Sequence, residues 1–213
     1  MHTTLNLIKN GKPCTSGYKR LLEHLGKTTA DDEPLLLSTI IRSNGISDAL
    51  WCLDSLDCFE PTAEFLRKVR LMAVFSARRV THLMTDERSR KAVDAAHKYY
   101  DRSLYDLSIL LERYLLDARE AVHNILQDDY NPSSTILPAA KVGVNICHFY
   151  SVSSINLVIP CVIEAMAKKS LGFRNLFSDG FGLEIQKARK TARDEFTKEF
   201  YDICKDVENA DEL

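Results

Sequence analysis

Residues 62–131 read TAEFLRKVRLMAVFSARRVTHLMTDERSRKAVDAAHKYYDRSLYDLSILLERYLLDAREAVHNILQDDYN. This run of 70 residues contains neither Gly nor Pro, the residues that β-hairpins need at their turns. Its apolar residues recur every three or four positions, which places them on one face of an α-helix. Phe65, Val69, Met72, Ala73, Ser76, Val80 and Leu83 form one such stripe, and Arg67, Lys68, Arg70, Arg78 and Arg79 lie largely off it. Thr85 or Asp86 is placed to cap a second helix through Ala92, Val93, Ala96 and Tyr99 or Tyr100. Ser103 caps the longest predicted helix, Leu104 to Gln127.

Working towards the N-terminus, Asn44-Gly45 ends a helix that carries Leu35, Leu36, Leu37, Ile40 and Ile41. Asp31 or Asp32 caps that helix and Pro34 sits in its first turn, where a missing N–H costs nothing. Ser47 or Asp48 starts the next helix, with Leu50, Trp51, Leu53 and Leu56 along it. Trp51, the only tryptophan, is expected in the core, with a binding anchor as the lesser reading. A short helix fits Tyr18 to Leu25, closed by Gly26 as a C-cap. Residues 1–16 read as a loose or short extended start.

Towards the C-terminus, Asp128 to Ser134 is the best linker. Beyond it, 22 residues between Lys141 and Glu164 carry no Asp, Glu, Lys or Arg. Asn145, His148, Ser151, Asn156 and Pro160 interrupt this stretch, so two buried helices at about 135–150 and 153–168 are expected, not a membrane span. A last amphipathic helix is predicted from Leu183 to about Val207, followed by an acidic fraying tail over 202–213. The fold class is therefore all-α: a single helical bundle of about eight to nine helices over residues 1–213. Its buried apolar hairpin is 135–168, and a sub-boundary is open at 128–134.

Composition narrows the function. Gly (8) and Pro (6) together make up 14 of 213 residues, well below the roughly 12% of average usage. The formal net charge is −2, whereas proteins that coat nucleic acid usually carry a basic excess. The six cysteines form no Cys-x-x-Cys pair, and the first residues lack the basic and apolar segments of a secretory signal. Free thiols in a reducing cytoplasm are expected.

No familiar site assembles from the remaining residues. Glu120-x-x-His123 occurs once, whereas a di-iron bundle needs the motif on two helices. Cys147 and His148 are adjacent and so point to different helix faces. The six histidines show no zinc spacing. Gly180-Phe181-Gly182 before a helix is a weak anion-site signal with no strand ahead of it. No catalytic residue, metal or cofactor is expected. What remains is charge: Arg67, Arg70, Arg78, Arg79, Arg88, Arg90 and Lys91 could share a surface facing an acidic protein or a phosphate backbone.

Two stretches resemble a known family. Ser43-Asn44-Gly45-Ile46-Ser47-Asp48-Ala49-Leu50-Trp51-Cys52-Leu53 and Asp86-Glu87-Arg88-Ser89-Arg90-Lys91-Ala92-Val93-Asp94-Ala95-Ala96 are similar to motifs of the helical immunity-protein-like family of bacterial and phage genomes. Ala77-Arg78-Arg79-Val80 and the Gln186–Phe196 segment add to the likeness, which covers residues 35–100 well. The motif positions Asn44, Gly45, Asp48 and Asp86 also serve as helix ends and caps. The resemblance implies a cytoplasmic, non-enzymatic binding protein that neutralises a toxin or, in a phage, a host defence factor. A protein partner is thus expected, and a symmetric homodimer is open to such a chain. The alternatives are a nucleic-acid-associated module or a phage structural component using the basic surface.

Overall fold

The computed structural model describes residues 2–55, 62–100, 102, 104–128, 135–147, 153–171 and 181–210. It divides into two compact units, Met1–Val69 with Phe196–Leu213, and Arg70–Glu195. The fold is all-α: the described residues form ten α-helices, one 3-10 turn and a two-stranded pairing of two residues per strand. The helix count exceeds expectation because the N-terminal residues, read as a loose start, contain a helix of their own.

In the first unit, β1 (His2–Thr3) leads into α1 (Leu5–Asn10). Thr4 caps α1, its hydroxyl accepting from the Leu7 N–H at 3.2 Å, so one otherwise unsatisfied donor has a partner. Next come α2 (Thr15–Leu25), β2 (Leu35–Leu36), α3 (Leu37–Asn44) and α4 (Ile46–Ser55). Gly26 ends α2 in the left-handed region at φ 66°, a conformation that disfavours a side chain. Leu35 and Leu36 are extended, not helical: β2 pairs antiparallel with β1, Thr3 opposite Leu35 and His2 opposite Leu36. Pro34 therefore precedes a strand instead of opening a helix. Asp31 does not cap α3 either, since its carboxylate accepts from the Glu33 N–H at 3.2 Å and pairs with Lys27 at 2.6 Å.

The start of α5 (Ala63–Arg78) and the end of α10 (Phe181–Ala210) complete this unit. Phe65 and Phe200, both fully buried, meet at 6.3 Å between ring centroids. The expected fraying tail is instead helical to Ala210, and Glu208 is only 4% exposed. Its carboxylate accepts from the Ser38 N–H at 3.1 Å and the Ser38 hydroxyl at 2.6 Å. One carboxylate thus caps the N-terminus of α3 from 170 residues away in sequence.

The second unit holds the rest of α5, a 3-10 turn at Thr81–Leu83, α6 (Glu87–Tyr99), α7 (Leu104–Asp128), α8 (Ile136–Ile146), α9 (Ser153–Leu171) and α10 up to Glu195. The predicted stripe through Leu83 is broken after Arg78, where α5 gives way to that turn. Asp86 is the N-cap of α6, accepting from the Arg88 N–H at 2.8 Å. The apolar hairpin is present as α8 and α9, and α8 also packs against α6 and α7. Gly143 permits that contact: a Cβ there would stand 2.8 Å from the Ser89 carbonyl oxygen on α6. Pro160 lies inside α9, and Asn145 of α8 donates to the Leu157 carbonyl nearby at 2.9 Å. Among the described residues no helix is long and apolar enough to cross a membrane. The division between units falls inside α5 and α10, whereas residues 129–134 of the expected linker lie outside the described residues. So do Leu56, Cys58, Ser103, His148 and Gly180.

Candidate functional site

The first unit contains a cleft of about 180 Å³ between its short helices. Its construction begins at Cys14, the N-cap of α2, whose sulfur accepts from the Gly17 N–H at 3.4 Å. Gly17 sits where α2 approaches the α3–α4 corner. A Cβ at this position would lie 2.7 Å from Asp48 Oδ2 and 2.9 Å from Cys14 Sγ, so the absence of a side chain brings these groups together.

Asn44, the last residue of α3, is the hinge of the arrangement. Its amide donates to the Gly17 carbonyl at 2.8 Å and to Asp48 Oδ2 at 2.7 Å, and its oxygen accepts from the Ser43 hydroxyl. All of its polar atoms are engaged, which fixes the orientation of Asp48. Gly45 follows at φ 88°, a value that favours glycine and lets α4 begin at once. Asp48 was expected as a cap, but it stands in the first turn of α4 and accepts from Asn44 instead. A carboxylate there is also favoured by the positive end of the helix dipole.

The walls are mostly apolar: Ile8, Leu21 and Ile40 line the cleft beside Tyr18 and Trp51. Trp51 is half-buried, a cleft wall and not the core residue expected. The Tyr18 hydroxyl is buried with no hydrogen-bond partner among the described residues, and burial followed by the Asp31 charge pushes its pKa upward. Four residues of the first family-like motif, Asn44, Asp48, Trp51 and Cys52, thus line one cleft, and Gly45 shapes its corner.

Sequence reasoning missed Cys14, Gly17 and Tyr18. Gly17 offered the one signal, because a glycine inside a helix costs roughly 1 kcal/mol against Ala and so marks a close approach.

The cations singled out from sequence each have a partner in the structure. Arg67 lies in the first unit, held by Glu64 at 2.9 Å. The other six are in the second unit. Arg70 donates to the carbonyls of Tyr100 at 3.3 Å and Arg102 at 2.9 Å, and burial lowers its pKa. Arg78 Nη1 lies 3.3 Å from both ring nitrogens of His97. Arg79 pairs with Glu195 at 3.9 Å and Lys91 with Glu87 at 3.3 Å. Arg88 bridges Asp86 at 2.7 Å and Glu120 at 3.2 Å, and Arg90 donates to the Met84 carbonyl at 2.8 Å. Each therefore already has a partner within its own unit.

The weaker candidates are also placed. Glu120 faces Arg88, and His123 Nε2 is 2.8 Å from the Gln127 amide nitrogen. Cys147 is buried, which pushes its thiol up to about 12. Cys52 and Cys204 are also buried, Cys161 is part-buried and Cys14 is exposed. Among the described residues no three His, Cys, Asp or Glu side chains form a metal-holding group. Gly182 lies in the first turn of α10. No family model, no curated protein and no solved structure matches this chain.

Proposed function

We propose that this protein is a non-enzymatic binding protein that neutralises a partner protein stoichiometrically. It would work in the cytoplasm, as an immunity-type factor or as a phage-encoded inhibitor of a host toxin or defence factor. One observation carries the reading: Asn44, Asp48 and Trp51 of the family-like motif line the same cleft, with Asn44 holding Asp48 in place. A cleft with apolar walls, a tryptophan and one oriented polar group suits the anchor side chain of a protein partner, where interface energy concentrates. Small-molecule and cofactor sites usually measure about 300–1,000 Å³, larger than the 180 Å³ here. The basic helices support a phosphate-binding reading less well, because their cations are engaged internally.

Affinity capture from a lysate of the source cells tests the proposal. The expected result is one protein retained in a fixed ratio, whose own activity falls as this chain is added and reaches zero at equivalence. Retention of no macromolecule, together with turnover of a small molecule, would contradict it.

A further inference from the structure

Resting on that reading, we infer that the cleft receives a single basic side chain, lysine or arginine, presented by the partner. The first reason is a carboxylate with no counter-ion among the described residues. Asp48 Oδ2 accepts from the Asn44 amide at 2.7 Å, and among the described residues Asp48 has no ion-pair partner. Among the described residues the rest of the cleft lining is uncharged, including the Asn44 amide, the rings of Tyr18 and Trp51, and the aliphatic walls of Ile8, Leu21 and Ile40.

Occupants differ sharply in how they meet this environment. A neutral apolar side chain would strip water from the carboxylate and return nothing, a net cost. An acidic one would face a like charge. A cation would pair with Asp48 and also present its charge to the faces of two aromatic rings, which attract it. The aliphatic stem of Lys or Arg would lie along the apolar walls, as such stems do. The volume of 180 Å³ is close to the roughly 150 Å³ cavity that takes up a benzene-sized ligand, so one side chain fits and an extended ligand does not.

Trp51 is the only tryptophan of the chain, so its fluorescence reports on this cleft alone. The full-length protein is titrated with n-butylammonium and n-butylguanidinium, and with n-butanol as the neutral counterpart, at constant ionic strength. The expected result is a saturable change with at least one cation, roughly tenfold tighter than with butanol, in line with combined ion-pair and cation–π attraction. Asp48→Asn, which keeps the acceptor for Asn44, should bring the cation down to the level of butanol. Glu120→Gln, a charge removal in the other unit, should change nothing.

The wild-type comparison needs no variant and stands even if Asp48→Asn folds poorly. Equal response to cation and butanol would overturn the inference, as would undiminished cation binding by a folded Asp48→Asn protein. Either result leaves the partner-binding reading intact. Cation selectivity without any captured protein would contradict the partner-binding reading instead, so the two failures are separable.

Discussion

Both units pair many of their charges, and they differ at one cluster of polar residues. In the first, Asn44, Asp48, Cys14 and Tyr18 converge on a cleft, and Asp48 is left with an amide as its only polar partner among the described residues. In the second, several cations meet acidic partners, Arg88 with Asp86 and Glu120, Arg79 with Glu195, Arg189 with Glu164. Along the two Arg-rich helices the cations thus have partners of several kinds, carboxylates, carbonyls and a histidine ring. A modest Asn-Gly helix end identifies the place where polar capacity remains open. Density of charge along a chain is a poor guide to binding. The balance of partners around each charge is a better one.

Truncating the first unit's core should have the largest effect. Phe200→Ala removes a ring that is fully buried against Phe65, and should cost about 3–5 kcal/mol in denaturant unfolding. If the cleft depends on that core, the tryptophan response to butylammonium should vanish with it. Glu208→Ala is next. It leaves the Ser38 N–H and hydroxyl without their acceptor at the start of α3, a loss of about 1–3 kcal/mol by the same measurement.

Gly143→Ala and Gly17→Ala sharpen the contrast between units. At Gly143 the added methyl meets the backbone of Ser89, which cannot swing aside, so a cost of about 1–3 kcal/mol is expected. At Gly17 it meets the side chains of Asp48 and Cys14, which can turn aside only by giving up the Asn44–Asp48 and Cys14–Gly17 hydrogen bonds. Stability should fall less there, but the cleft should lose its ligand response. Equal melting losses with an intact cleft would break the comparison.

The smallest effect is a pH dependence in the second unit. The Arg189 guanidinium, 2.7 Å from Glu164, holds that carboxyl below its ordinary value of 4.5. The unfolded carboxyl then takes up a proton first as pH falls. The pair's contribution is complete above 4.5 and is lost as pH drops through the lower folded value. Arg189→Gln should therefore destabilise by under about 1 kcal/mol at neutral pH, the pair being part-exposed. The gap from wild type should close in acid, as read from urea midpoints.

Periodicity revealed most of the fold because long helices repeat their apolar residues often enough to be recognised. The segments from Leu104 to Asp128 and from Phe181 to Ala210 were legible within a few residues. Leu5–Asn10 is too short to show a period, and Leu35–Leu36 is extended only because it pairs with His2 and Thr3. The acidic C-terminus misled for a related reason. Glu208 looks solvated until Ser38 is brought beside it, and nothing local announces that meeting.

The cleft was half-legible. Asn44, Gly45, Asp48 and Trp51 stood out as a motif, yet the approach of α2 that makes them a site depends on Gly17 and on packing across helices. Pairs at i,i+4 such as Lys190–Asp194 can be read along one helix. Arg88–Glu120 and Arg189–Glu164 cannot, because each joins two helices.

The central claim, that the first unit's cleft and not the second unit's cations meets the partner, is tested most directly by one capture experiment with two variants. Trp51→Ala empties a cleft wall, whereas a combined Arg78→Ala, Arg79→Ala, Arg90→Ala and Lys91→Ala protein clears the basic helices. With both confirmed folded by circular dichroism, the partner held by wild type should be lost with the first and retained with the second. Retention by the Trp51 variant and loss with the four-cation variant would contradict the account.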